Sequence, residues 1–233
     1  MSRGVLFITT GAYFTKAAAE AAHSVRASNP GLKLGIFTNV EADPIFDFTG
    51  PITSGAARCK HEYLAKSPFE ETLYLDSDTR VTANLNDFFR VLERFDMAGA
   101  SVRYRSSPRR LKKWRLELPL AFPQINCGVL LYRLNEKTLE FFENWVAAIE
   151  TGGFQRDQVP FREVLWLSDI RFHTVGPEYN TRSINISPLP SKLPLPLILH
   201  IKALHSESKI KRIAAQMLLM PLKLRLRRAG HII

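Results

Sequence analysis

The sequence has only two cysteines, Cys59 and Cys127, set far apart and with no further Cys or His at ligand spacing. A Cys-x-x-Cys redox pair, a disulfide framework and a Cys/His zinc site are thereby excluded as organising devices, and a reducing, cytoplasmic setting is expected. No apolar run approaches the roughly 20 residues that a membrane span requires. The short run Val5 to Ile8, behind Arg3, is interrupted by Thr9, Thr10 and Gly11 before it could serve as a signal core, so a chain that is soluble or peripheral to a membrane is expected. Neither Gly-x-Gly-x-x-Gly nor Gly-x-x-x-x-Gly-Lys occurs, which removes the Rossmann dinucleotide loop and the P-loop. Internal repeats on the scale of roughly 20 to 50 residues are absent as well.

Acid is also in short supply: 22 Asp and Glu stand against 32 Lys and Arg, a formal charge of +10. The excess is uneven. Arg103, Arg105, Arg109, Arg110, Lys112, Lys113 and Arg115 form one cluster, and the segment Lys209 to Arg228 forms another. Such surfaces attract polyanions, and charge alone does not choose among nucleic acid, anionic lipid and phosphorylated substrates. What the chain does have is enough apolar residue for one core. With 233 residues, 45% of them hydrophobic, a single globular domain is expected.

Gly4 to Thr10 reads as a buried strand that ends in small polar residues, followed by an Ala-rich helix over Ala17 to Ala27 that Asn29-Pro30-Gly31 stops. Lys33 to Thr38 is a second strand, and strand, helix, strand in that order suggests a parallel pair in an α/β sheet. A helix from about Ala56 to Lys66 precedes the strand Glu71 to Leu75, which ends abruptly at Asp76. Further along, the pattern predicts a helix over Phe88 to Arg94 and a strand over Met97 to Ala100. An irregular basic loop over Arg103 to Arg115 follows, then a strand over Ile125 to Tyr132 and a helix over Asn135 to Ile149. A short helix over Phe161 to Trp166, a Pro-rich loop over Pro188 to Pro196 and a last strand over Leu197 to Ile201 complete the reading. Leu139, Phe142, Trp145, Val146 and Ile149 recur at helical spacing and are expected in the core.

Asp76-Ser77-Asp78 is the motif with chemistry in it. Ligands of open α/β sheets sit outside the carboxyl ends of the strands, and residues i and i+2 of a strand share a face, so Asp76 and Asp78 can aim at one point. Hard oxygen ligands suit Mg²⁺, Mn²⁺ or Ca²⁺. Two competing patterns fail at the same place: a helix-loop-helix calcium loop needs an oxygen ligand and a Gly where Arg80 and Val81 stand, and Arg80 also breaks the Asp-x-Asp-x-Thr phosphatase pattern.

The run Pro68 to Thr79 around that motif resembles the metal-binding strand of nucleotide-diphospho-sugar transferases with the glycosyltransferase A fold, in particular family 8-like glycosyltransferases. Asn126-Cys127-Gly128 resembles the family's Asn-x-Gly strand, and Arg156-Asp157-Gln158 its Asp-Gln turn. The resemblance covers residues 1–205 as one catalytic domain and leaves 206–233 as a basic amphipathic tail. It implies an α/β fold with a mixed, mostly parallel central sheet flanked by helices, and a metal-dependent hexosyltransferase that uses Mn²⁺ or Mg²⁺ and a UDP-sugar donor. Residue by residue, it implies that Asp78 ligates the metal and that Asp76 serves both metal and ribose. Asn126, Asp157 and Gln158 would line the donor-sugar and acceptor pocket, although Asp157 could instead cap the helix beginning near Pro160. Thr9, Thr10 and Gly11 would let the nucleotide approach the backbone, Tyr13 would stack on the base, Arg58 would reach the nucleotide or its phosphate, and Lys202 the diphosphate. The third metal ligand is left between His200 and His205, since the family's longer His-Gly and Lys-Pro-Trp signature is missing here. Retention or inversion is left open too; inversion would need a general base at the acceptor hydroxyl, for which Asp157 is a candidate by position. The acceptor would be a glycan or a lipid-linked sugar.

The competing reading is a basic binding module in which the acidic turn is only structural. The absence of an aromatic-rich RNA-binding signature and of a helix-turn-helix counts against nucleic acid. Ile210, Ile213, Met217, Met220 and Leu224, with Lys209, Arg212, Lys223 and Arg227 beside them, suggest an interfacial helix for anionic lipid, kinked at Pro221.

Overall fold

The structure is a computed structural model and describes residues 2–53, 59–102, 113–154, 157–182 and 195–201. Its centre is a seven-stranded sheet in the order β3-β2-β1-β4-β7-β6-β8, built from β1 (Arg3–Thr9), β2 (Lys33–Thr38), β3 (Phe48–Pro51), β4 (Glu71–Leu75), β6 (Met97–Ser101), β7 (Ile125–Arg133) and β8 (Phe172–Val175). β1 is parallel to β2 and β4, β2 to β3, and β6 to β8, whereas β7 runs antiparallel to both β4 and β6. The sheet is therefore mixed and mostly parallel. A second, two-stranded antiparallel sheet pairs β5 (Thr79–Val81) with β9 (Ile198–His200).

Strand residues alternate between two apolar layers, as the pleat requires. Val5, Phe7, Leu34, Ile36, Leu73 and Leu75 join one cluster with the helices α1 (Ala12–Ser28) and α3 (Asn86–Arg90). Leu6, Ile8, Phe37, Tyr74, Leu130 and Tyr132 join the other, with α4 (Glu136–Gly152) and α5 (Gln158–Leu167). With both faces covered, the central strands are apolar runs with little polar residue in them. On α1 the residues toward the sheet are mostly alanine, which brings the helix close, while α4 fills its side with Phe141, Phe142 and Trp145. Each such aromatic stabilises the fold by about 2–3 kcal/mol relative to exposure.

Local signals explain the helix ends. Asn135 and Thr138 form a reciprocal capping box at the start of α4, and Gly153 ends it in the left-handed region at φ 60°. The sequence pattern placed the long strands and helices within a few residues but started the first helix too late, since α1 begins at Ala12. The helix expected over Ala56 to Lys66 is shorter: α2 spans Lys60–Tyr63 and a 3₁₀ turn follows over Leu64–Lys66, with 54–58 outside the described residues. Strands β3, β5 and β8, each three or four residues long, have no counterpart in the sequence reading. Among the described residues no helix is long and apolar enough to cross a membrane.

Candidate active site

β4 leaves the sheet at the edge where its neighbour β7 still runs alongside, and the Asp76 N–H extends the ladder by donating to the Gly128 carbonyl at 2.8 Å. The next residues are not strand. Asp76-Ser77-Asp78 is a turn, closed by the Thr79 hydroxyl donating to the Asp76 carbonyl at 2.8 Å. The strand periodicity invoked from sequence thus does not align the two carboxylates; the turn between β4 and β5 does. β5 then pairs with β9, with Thr79 opposite His200, and the Ile201 N–H donates to the Asp78 carbonyl at 3.1 Å.

That pairing delivers His200 to the acidic turn. Its Nε2 lies 3.1 Å from Asp78 Oδ1 and 3.7 Å from Asp76 Oδ2. One ligand atom from each of Asp76, Asp78 and His200 falls within 4.8 Å of the others. On the far side of the ring, Nδ1 is 2.9 Å from Asn180 Oδ1, and both residues are buried. Asn180 closes the 3₁₀ turn Pro177–Asn180 and is held beside β9 because the His200 N–H donates to the Thr181 carbonyl at 2.9 Å. With Asn180 Oδ1 accepting from Nδ1–H, Nε2 is the ring nitrogen turned to the two carboxylates. Two carboxylate oxygens and a ring nitrogen grouped this closely make a set that could hold a cation.

Beneath the cluster, Gly128 supplies space: a Cβ there would overlap the His200 ring and the Asp76 carboxylate. Tyr74 Oη donates to Asp76 Oδ1 at 2.6 Å, while the partner oxygen Oδ2 faces His200. Burial, then the Asp76 charge, pushes the Tyr74 phenol well above its ordinary range, so it acts as a neutral donor.

Lys60, at the start of α2, ties the acidic turn to a second group. Its Nζ lies 2.8 Å from Asp157 Oδ2 and 3.3 Å from Asp76 Oδ1, and donates to the Cys127 carbonyl at 3.0 Å. Burial alone would lower the Lys60 pKa, but Asp157 and then Asp76 outweigh it and the net shift is upward. Burial likewise opposes ionisation of Asp157, and Lys60 overcomes it, leaving the carboxyl below its ordinary value. Asp157 is the residue before α5, yet its side chain makes no capping hydrogen bond. The ammonium of Lys60 occupies it instead, and the Trp145 indole N–H holds its carbonyl at 3.0 Å.

The other residues expected from sequence are placed unevenly. Gln158 borders Asp157 and its Oε1 lies 3.3 Å from Gln124 Nε2. Asn126 is buried in β7 and its Oδ1 accepts the Gly128 N–H at 3.0 Å, so its described contact shapes the backbone under the cluster. Thr9 is buried in a chain of hydroxyls with Thr15 and Thr38, at 3.0 and 2.8 Å, which directs it into the β1-α1-β2 unit. Thr10 and Gly11 follow β1; Gly11, at φ 78°, donates its N–H to Asn39 Oδ1 at 2.8 Å. Tyr13 is exposed and packs edge-to-face with Phe14. Arg58, Lys202 and His205 lie outside the described residues, as do the tail 206–233 and the basic positions from Arg103 to Lys112.

Sequence reasoning missed Lys60, Tyr74 and Asn180 as site residues. Lys60 sits sixteen positions before Asp76 on a different element, and Asn180 reaches His200 through a strand pairing; neither relation leaves a spacing signal. Tyr74 could have been found, since i and i+2 on β4 put it on the same side as Asp76.

No protein-family model and no curated protein sequence matches the chain. Solved structures do. The galactosyltransferase LgtC, crystallised with donor and acceptor sugar analogues, superposes with a TM-score of 0.68 at 14% identity, over 94% of this chain and 95% of LgtC. The apo form of the glycosyltransferase GlyE of Streptococcus pneumoniae matches at 0.62 and 18% identity, over 98% of this chain, which spans 63% of GlyE. Mouse xyloside xylosyltransferase 1 matches at 0.58 and 13% identity, over 86% of this chain and 97% of that enzyme. With a seven-stranded mixed sheet and an Asp-x-Asp turn at the carboxyl end of its central strand, the chain has the glycosyltransferase A fold.

Proposed function

We propose that the protein is a glycosyltransferase that moves a hexose from a nucleoside diphosphate, UDP by preference, to an acceptor hydroxyl with the help of a divalent cation. The observation that carries this reading is the convergence of Asp76, Asp78 and His200 on one point at the carboxyl end of β4, in a fold shared with sugar transferases.

The donor set fits a divalent cation: two carboxylates and an imidazole whose Nδ1 is held by Asn180 and whose Nε2 faces them. Asp76, Asp78 and His200 would hold it, and when bound, Mn²⁺ or Mg²⁺ supplies charge neutralisation for a departing diphosphate. The protein's own groups do the positioning. Tyr74 occupies one oxygen of Asp76 and leaves the other toward His200. Lys60 holds Asp157 ionised and oriented at the rim, where its carboxylate is suited to accept hydrogen bonds from sugar hydroxyls. Gln158, next to it, adds an amide that can donate or accept. Tyr13 is available to stack on a base. A glycan or lipid-linked acceptor would enter over Asp157 and Gln158.

The test is release of nucleoside diphosphate from a panel of nucleotide sugars with Mn²⁺ or Mg²⁺. UDP release that needs the cation and disappears in Asp78→Ala is the expected result. If no nucleotide sugar is bound or hydrolysed, or if Asp78→Ala retains full turnover, the reading fails.

A further inference from the structure

We propose that the loop 113–122 and the C-terminal end of α5 form a docking surface for an anionic lipid bilayer. The proposal concerns a different surface from the candidate active site and does not rest on sugar transfer.

The loop is built outward. Two adjacent side chains of α5, Arg162 at 5% exposure and Glu163 at 3%, are buried beneath it. Arg162 donates to the carbonyls of Pro119 and Phe122 at 2.8 and 2.9 Å, and Glu163 Oε2 accepts the N–H groups of Arg115 and Leu116 at 3.0 and 3.1 Å. Backbone polar groups of the loop are thus satisfied from inside by a cation at one end and an anion at the other. The apolar side chains are left facing solvent: Leu120 is 52% exposed and Leu116 also lies open. Trp166 and Leu167, at 46% and 67%, continue the surface onto the last turn of α5. Phe122 joins the two parts through an edge-to-face contact with Trp166 at 5.0 Å.

Charge selects the occupant. Lys113 and Arg115 are exposed at the head of the loop, and the Arg115 guanidinium lies 3.9 Å from the centre of the Trp114 ring. In sequence they close a stretch, 103–115, with seven cations and no acid, and the loop 113–122 itself carries two cations against one exposed acid, Glu117. Protruding leucines and an indole with cations at their edge match a surface that offers anionic headgroups and, a few ångströms deeper, hydrocarbon. An acidic protein partner would answer the charge but would need its own apolar pockets for four separate side chains. The geometry also has a consequence for the site: α5 starts beside Asp157, and ten residues at ~1.5 Å each put that end roughly 15 Å from the docking end. A docked molecule would hold its candidate active site within reach of the headgroup layer.

The test uses the full chain with vesicles of phosphatidylcholine, with and without phosphatidylglycerol. In a Trp114→Phe background two of the three tryptophans remain, buried Trp145 and exposed Trp166. Brominated acyl chains should quench Trp166 in anionic vesicles and not in zwitterionic ones. Leu120→Glu combined with Leu167→Glu should lower vesicle binding by about tenfold or more, with the melting temperature unchanged because both positions are exposed. Binding without quenching of Trp166 would place the contact elsewhere, in the basic tail for example, and would overturn the proposal. No binding to anionic vesicles would overturn it too. So would loss of self-association on a sizing column in the double variant without loss of vesicle binding, which would mark a protein interface. Should the double variant unfold, the quenching of Trp166 in the Trp114→Phe chain decides alone.

Discussion

The two ends of β4 carry acids of opposite kinds. At the amino end Glu71 is buried and its two carboxylate oxygens are taken separately by Arg3 and Arg133, the latter at 2.7 Å. Burial works against that charge, and the two guanidiniums more than offset it, so the carboxyl lies below its ordinary value. At the carboxyl end Asp76 and Asp78 face each other and a histidine, and Asp76 divides the ammonium of Lys60 with Asp157. Two carboxylates share one ammonium there, while Asp78 faces His200. An acid with its own arginines is a fastening; acids that converge on one point could hold a cation.

The comparison breaks most visibly at Glu71. Glu71→Ala should leave Arg3 and Arg133 without their partner and cost about 3 kcal/mol in denaturant unfolding, while Mn²⁺ affinity of the folded protein stays unchanged. A fall in metal affinity equal to that of Asp78→Ala would erase the distinction between the ends.

Gly128→Ala should act the other way, weakening Mn²⁺ binding by about 100-fold, at the upper limit of changes just outside a metal site, with little loss of the β4–β7 ladder. Titration followed by electron paramagnetic resonance reads the affinity, and native-like circular dichroism checks the fold. Unchanged affinity would mean that the backbone or the His200 ring gives way.

Asn180 sharpens the same end. Asn180→Ala should reduce Mn²⁺ affinity by about 10- to 100-fold, whereas Asn180→Asp keeps an acceptor for Nδ1–H and should stay within a few-fold of the parent. Among the described residues the amide nitrogen of Asn180 has no hydrogen-bond partner, so replacing it removes no contact with them. Nitrogen NMR of His200 should report the Nδ1–H tautomer in the parent and in the Asp variant. Equal losses in both variants would reduce Asn180 to packing.

The smallest effect is expected at a second acid of the fastening kind. Asp47 accepts from Arg26, from the Leu34 N–H and from Lys33, and its pKa is lowered from 3.8 to about 2. Burial alone would have raised it; the hydrogen bonds from Arg26 and then Leu34 and Lys33 outweigh that. The folded-state value is below the unfolded one, so the stabilisation is present above about pH 4 and is lost as pH falls through about 2. A lowering of that size would correspond to about 2.4 kcal/mol; with the group partly open to solvent, about 1 kcal/mol is expected. Asp47→Asn should remove that amount at pH 7 and flatten the acid limb of stability between those limits.

Much of this was legible in advance because long apolar runs and helical spacing are local properties. β1, β2, β4, β6 and β7 are runs of that kind, and the Ala-rich α1 and aromatic α4 show in sequence, although Leu139, expected in the core, is exposed. The short strands were not: Phe48–Pro51 contains Gly and Pro, and Thr79–Val81 spans three residues, so only their partners make them strands. At the site, Asp76 and Asp78 are conspicuous together, but Lys60, Asn180 and Asp157 come from separate elements.

By itself the sequence determined that the chain forms an α/β sheet, and that an acidic pair follows its central strand. Apolar period and abrupt strand ends suffice for that. The tertiary structure alone decided which acids are fastened and which converge. The direction of β7, which puts Gly128 under the turn, and the pairing of β5 with β9, which brings His200 to it, are relations between distant segments. Such relations are fixed by burying side chains and satisfying backbone hydrogen bonds across the whole fold, and they leave no trace in local spacing.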